Sequence, residues 1–115
     1  MVNKAVEDAA VLDRAYAALA DPTRRALLVT LRGGDARITD LAASAPMTFA
    51  GISRHVSVLE NAGLIRREVR GREHWLSVRA EGLRAAENWI HEQSSFWSQR
   101  ADVLAEHLTR RKRAR

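Results

Sequence analysis

Cysteine is absent from the 115-residue chain, which excludes disulfides, thiolate nucleophiles, zinc ribbons and thiol-based sensing together. No apolar run approaches the ~20 residues that a membrane span needs. Glu7 and Asp8 stand where a signal peptide carries its apolar stretch, so a cytoplasmic protein without a membrane partner is expected. Glycine is scarce, six residues in all, and the Gly33-Gly34 pair is isolated and followed by Asp35. No phosphate-cradling loop is therefore present. No nucleophile has a base and an orienting group in its local context, so the chain reads as a non-enzyme with no cofactor. What is present is 46% hydrophobic and 29% charged residues, an ordinary globular balance that argues against wholesale disorder. The length suits one domain with one core.

The formal charge of +5 is unevenly spread. Residues 1–47 are neutral, residues 48–79 sum to +3, residues 80–109 to −3, and the last six residues to +5. A terminal basic run of this kind reads as a solvated, disordered tail over 110–115. The informative charge lies between Thr48 and Arg79, on a domain that spans 1–109.

Apolar spacing organises that domain. Val6, Ala9, Leu12, Tyr16 and Leu19 recur at three and four, the spacing of a helix over 6–20. Asp21-Pro22 restarts the chain as a cap and first helical residue, and Gly33-Gly34 ends a second helix at Arg32. A short third helix covers 38–44, and Pro46 breaks it. Thr48 caps a fourth helix to Ala62, with Gly63 as its left-handed stop. On a wheel turning about 100° per residue, Ile52, Val56 and Leu59 face one way, and Ala50, Arg54, Ser57 and Asn61 the other. Small residues plus one arginine make an outward face suited to close contact.

After Gly63 the period becomes two. Leu64–Arg70 and Glu73–Val78 flank Gly71-Arg72 as a β-hairpin. Ile65 is expected opposite Val78, Arg67 opposite Leu76, and Trp75 opposite Glu68. Arg67, Arg70 and Arg72 would then lie toward the tip. Glu81–Leu108 is one long helix with a seven-residue repeat: Leu83, Ile90, Trp97 and Leu104 in one stripe, Trp89, Phe96 and Val103 beside it. That double stripe is wider than one small core can cover and calls for a partner helix.

The fold class expected is mainly α with a small hairpin, in the order α-α-α-α-β-β-α, a winged helix-turn-helix. Such a unit places one helix in the major groove and lets the hairpin reach neighbouring phosphates. The segments Leu19–Leu28 (LADPTRRALL), Ile52–Ile65 (ISRHVSVLENAGLI), Gly71-Arg72 and Phe96-Trp97 resemble ArsR-type, arsenic-repressor-like, transcriptional regulators over about residues 12–108. The resemblance implies a homodimer, joined through its first and last helices, that represses transcription from a palindromic double-stranded DNA operator, with its own promoter a candidate target. An inducer or metal releases such repressors.

Carried over by residue, Thr48, Phe49, Ala50, Ser53 and Arg54 match the DNA-facing part of the recognition helix. His55 and Ser57 match positions near phosphates, and Arg70, Gly71 and Arg72 match the wing tip. Thr23, Arg24 and Arg67 are counted with this DNA-binding set. Arg54 suits guanine, and the apolar Phe49 and Ala50, where the family often has polar residues or proline, suit thymine methyls. Plainer roles stay open: Thr48 as a cap only, His55 bonded within the fold, Phe49 as a core plug, the wing arginines as a solvated tip. Leu12, Tyr16, Leu19, Trp89, Ile90, Phe96, Trp97, Val103 and Leu104 form the expected dimer surface, with a hydrophobic effector pocket there as a further use. No metal is expected. The family's thiolate site is impossible without cysteine, and His91, Glu92, Glu106 and His107 do not keep the spacing of its other site. The competing readings are a ligand- or metal-responsive sensor and a winged helix that binds protein instead of DNA.

Overall fold

The computed structural model describes residues 3–113. Helix α1 covers Lys4–Leu19 and α2 Pro22–Thr30, followed by a 3₁₀ turn at Leu31–Gly33. Strand β1, Ala36–Arg37, leads into α3, Ile38–Ala43, and α4, Phe49–Asn61. The hairpin is β2, Ile65–Arg70, and β3, Glu73–Val78; α5 runs from Ala80 to Arg113.

Local chemistry sets these boundaries. The Asp21 carboxylate accepts from Arg24 N at 3.0 Å, with Pro22 opening α2. Thr48 Oγ1 accepts from Gly51 N at 3.1 Å to open α4. Gly63, at φ 74°, ends α4 in the left-handed region that a side chain disfavours. Gly71 supplies the positive φ of 63° at the first position of the hairpin loop, as a II′ turn requires.

The hairpin register is the expected one: Ile65 pairs with Val78, Arg67 with Leu76 and Glu68 with Trp75. Three features differ from expectation. The sheet has a third strand, order β1-β3-β2, with Ala36 opposite Leu76 and Arg37 opposite Trp75. Two residues are too few to show a period. Helix α2 tightens into the 3₁₀ turn before Arg32. And α5 continues past Leu108 through Arg113, so the part of the expected tail within the described residues is helical.

One core joins the elements: Ala15 and Ala18 of α1, Leu27, Leu31, Ile38 and Leu41, then Ile52, Val56 and Leu59 of α4, capped by Leu64, Ile65, Leu76 and Ala86. Ile52 and Leu59 are completely buried, each removed from water at a gain of about 1.5–3 kcal/mol. Helix α5 reaches this core only near its start. Tyr16 Oη donates to Ala86 O at 2.8 Å, and its ring meets Trp89 edge-on with centroids 6.0 Å apart.

The seat of α5 depends on Gly82. A Cβ there would overlap the Gly63 carbonyl oxygen and crowd Leu64. Gly82→Ala would add helix propensity, worth up to about 1 kcal/mol. The clash is with backbone, and overpacking of this kind costs about 1–3 kcal/mol, so a net loss of stability is expected in urea unfolding. Gly33→Ala, with open space around it and no positive φ, should stay within about 0.5 kcal/mol of the parent.

Candidate nucleic-acid interface

Helix α4 divides into two faces. Ile52, Val56 and Leu59 lock one face into the core. Ala50, Arg54 and Asn61 are exposed on the other, with Ser53 and Ser57 half-buried beside them, and Thr48 and Phe49 are exposed at the start of the helix. Phe49 is 53% exposed and plugs nothing. Arg54 is exposed, and among the described residues no hydrogen bond or ion pair occupies its guanidinium. It is thus the one cation on a face of small and apolar groups.

His55 and Arg24 serve the fold. Arg24 Nε donates to Ala18 O at 2.7 Å and Nη2 to Ala17 O at 3.1 Å, closing the end of α1. Its Nη1 donates to His55 Nδ1 at 3.1 Å, and Asp21 lies 3.9 Å from the same nitrogen. The ring's Nδ1 is thus turned to Arg24 and Asp21, and its Nε2 makes no hydrogen bond among the described residues. This cluster pins the middle of α4 to the start of α2. Thr23 is half-buried beside it.

The wing arginines separate into held and unheld. Arg67 does not project at the tip: it faces α4, 3.3 Å from Glu60, with His74 Nδ1 at 3.2 Å. Its place opposite Leu76 puts it on the core side of the sheet. Arg70 pairs with Glu68 at 3.0 Å and Asp35 at 3.6 Å, and its guanidinium lies 4.9 Å from the Trp75 ring centre. Arg37 approaches the same ring at 5.9 Å and bonds Asp40 and Glu73. Trp75, whose partner the sequence does not name, is therefore flanked by two cations, each about 1 kcal/mol at a partly exposed site. Gly71 and Arg72 are exposed at the tip, and Arg72 has no ion-pair partner among the described residues. Arg66, at the base of the hairpin opposite Ser77, is likewise exposed and has no ion-pair partner among the described residues, and sequence reasoning missed it. The hairpin register did contain the signal, since Arg66 alternates with the inward Ile65 and Arg67.

The second surface is the apolar stripe of α5. Trp89, Ile90, Phe96, Trp97, Val103 and Leu104 are all exposed, Trp97 at 62%. Leu108 extends the stripe by one turn and was missed, though it lies four residues beyond Leu104. Val6 and Val11 expose apolar surface on α1, while Leu12, Tyr16 and Leu19 are half-buried. A groove of about 340 Å³ between α1 and the start of α5 mixes Arg14, Arg79 and Glu81 with Val11, Leu12 and Ala86, and a groove of about 430 Å³ on the stripe itself is lined by Arg100, Val103, Leu104, His107 and Arg110. Among the described residues no group of three or more His, Asp or Glu could share a metal ion, and no helix is long and apolar enough to cross a membrane.

Residues 21–67, from the cap of α2 into β2, match a family model described as bacterial regulatory protein, arsR family. The chain is 30% identical over 79 residues to the transcriptional repressor SdpR of Bacillus subtilis, covering 69% of this chain and 88% of that protein. A crystal structure of an ArsR family transcriptional regulator matches with a TM-score of 0.72 at 36% identity, covering 76% of this chain and 91% of that one. A solution structure from Mycobacterium bovis, described as a homodimeric winged helix-turn-helix DNA-binding domain, matches at 18% identity and a TM-score of 0.65 over 81% and 88% of the two chains. At that identity it shows the shared fold.

The cluster behind α4 has a pH signature. The Arg24 backbone N–H holds the Asp21 carboxyl below its ordinary value against the opposing effect of burial, helped by His55 and the Arg24 charge. A depressed carboxylate stabilises the fold above its unfolded pKa, about 3.9, and that contribution is lost as pH falls through the folded value. Asp21→Asn keeps a capping oxygen but removes the charge. Its midpoint in urea should lie below the parent's at pH 7, and the gap should close below about pH 4. A gap independent of pH would remove the charge from this role.

Proposed function

The chain belongs to the ArsR family of bacterial regulatory proteins, and on that footing we propose that it is a homodimeric repressor that binds a palindromic operator in double-stranded DNA. The observation that carries this reading is α4 itself. Its buried stripe fixes the helix rigidly, and its opposite face offers backbone-close small residues around an unpaired Arg54. A major groove about 12 Å wide admits such a helix, whose first turns reach base edges. Thr48, Phe49, Ala50, Ser53 and Arg54 take the bases. Ser57, Thr23 and the His55 ring take phosphates, and Arg72 at the wing tip and Arg66 at the wing base take phosphates beside the hairpin. Arg24, Arg67 and Arg70 support this surface through their bonds within the fold.

Dimerisation follows from the stripe on α5. A row of exposed aromatic and aliphatic side chains from Trp89 to Leu108 exceeds what a soluble monomer ordinarily leaves bare. A second copy packed along α5 and α1 covers it. Two-fold symmetry then presents two α4 helices to two half-sites about one DNA turn, roughly 34 Å, apart. Work on chromosomal DNA places the protein in the cytoplasm.

Three substitutions test the reading by gel shift and sedimentation, beginning with the gene's own upstream DNA. Arg54→Ala should lose about 1–3 kcal/mol on the cognate duplex and relax preference at one base pair per half-site. Equal loss on every duplex would reassign Arg54 to a phosphate. Arg72→Ala should weaken all duplexes alike and lower the salt slope by about one unit per subunit. Trp97→Glu, on an exposed helix face, should leave a folded monomer that no longer binds; a dimer that persists would contradict the proposed interface.

A further inference from the structure

Phe49 has no role in the fold. It is the first residue of α4, it stands 53% exposed, and among the described residues it pairs with no other aromatic ring. Met47, on the other side of the Thr48 cap, is also exposed, at 41%. Two large apolar side chains thus bracket the N-terminus of the helix whose first turn faces the DNA. Their surroundings explain the access. Ala50 and Gly51 follow directly, and a Cβ at Gly51 would meet Thr48 Oγ1 at 3.3 Å and Met47 Cβ at 3.9 Å, so no larger side chain stands beside the two apolar groups in the first turn.

A phenyl ring has no donor or acceptor with which to read a base edge. The apolar feature that base edges present in the major groove is the 5-methyl group of a pyrimidine. From this, and resting on the DNA-binding reading above, we propose that Phe49, backed by Met47, reads a pyrimidine 5-methyl group in each half-site. The shared chemistry is that of thymine and 5-methylcytosine. Affinity for the operator then depends on a group that carries no hydrogen bond and no charge.

The experiment begins with duplexes selected by the full-length protein from a random pool. Each thymine is replaced in turn by uracil, which deletes only the methyl, and each cytosine by 5-methylcytosine, which adds it. Burying one methyl corresponds to about fourfold in affinity. The expected result is one position per half-site where the methyl gains about fourfold, and about fifteenfold when both half-sites of a dimer carry it. Phe49→Ala should bind methylated and unmethylated duplexes equally, while Phe49→Leu, still apolar, keeps part of the difference. Sensitivity in the uracil arm assigns the group to thymine; sensitivity confined to the cytosine arm assigns it to methylated DNA. The proposal is overturned if every replacement leaves affinity within twofold, or if Phe49→Ala keeps the parent's sensitivity. Failure to select any duplex overturns the DNA-binding reading instead, so the two failures are distinct.

Discussion

The rest of the structure depends on the complete burial of one stripe of α4. Ile52, Val56 and Leu59 lose essentially all their solvent exposure, in one core with Leu64 just ahead of β2, Leu76 of β3 and the helices behind. Because three side chains spaced along one stripe are fixed, the helix can neither roll nor slide, and its other face is free to carry contact residues that stabilise nothing. The cap at Thr48, the left-handed exit at Gly63 and the tight seat of Gly82 on the Gly63 carbonyl all serve that placement. Phe49 and Arg54 are tolerated in the open because the other face already supplies the stability.

Charge is arranged on the same principle. The +3 on residues 48–79 looks like a uniform basic surface, yet its arginines do different work. Arg67 and Arg70 are bound to Glu60, Glu68 and Asp35, and Arg24, outside that segment, closes α1 and meets His55. Bidentate or stacked arginines of this kind are structural members. With Arg79 set against Glu81 at 3.8 Å, what remains of the segment for a polyanion is Arg54, Arg66 and Arg72, a small set spread across helix and wing. A few well-placed cations favour sequence discrimination over the indiscriminate phosphate affinity of a broad basic patch. The cation pair around Trp75 ties β3 of the wing to β1 through Arg37 and to β2 through Arg70.

Much of this was legible in the sequence because it rested on local rules. The 3.6-residue stripe of α4, the Asp21-Pro22 and Thr48 caps and the Gly71-Arg72 loop each carry their cause within a few residues, and the hairpin register followed without shift. What was not legible depended on distant partners. Strand β1 exists only because β3 offers Leu76 and Trp75 to it. Arg67 turns to Glu60 and His74, which no local pattern announces. Phe49 could have plugged the core or stood outside, and only the packed body decides that it stands outside. The helical continuation through Arg110–Arg113 was obscured by its charge, which reads as a tail although arginine and lysine are good helix formers.

The last helix also separates the two kinds of surface. Over residues 80–109 it is acidic and carries the exposed aromatic stripe, apart from the basic wing and α4, so under the proposed function DNA and a second subunit would not compete for the same residues. The measurement that bears most directly on function is the ratio of affinities, at one physiological salt concentration, for a selected palindromic duplex and for a scrambled duplex of equal length and composition. Sequence reading by α4 requires the selected duplex to bind tighter by at least about a thousandfold. Equal affinity for the two, weakened alike by salt, would mean that the protein holds DNA by charge alone, and would contradict the assignment of α4 as a reading helix.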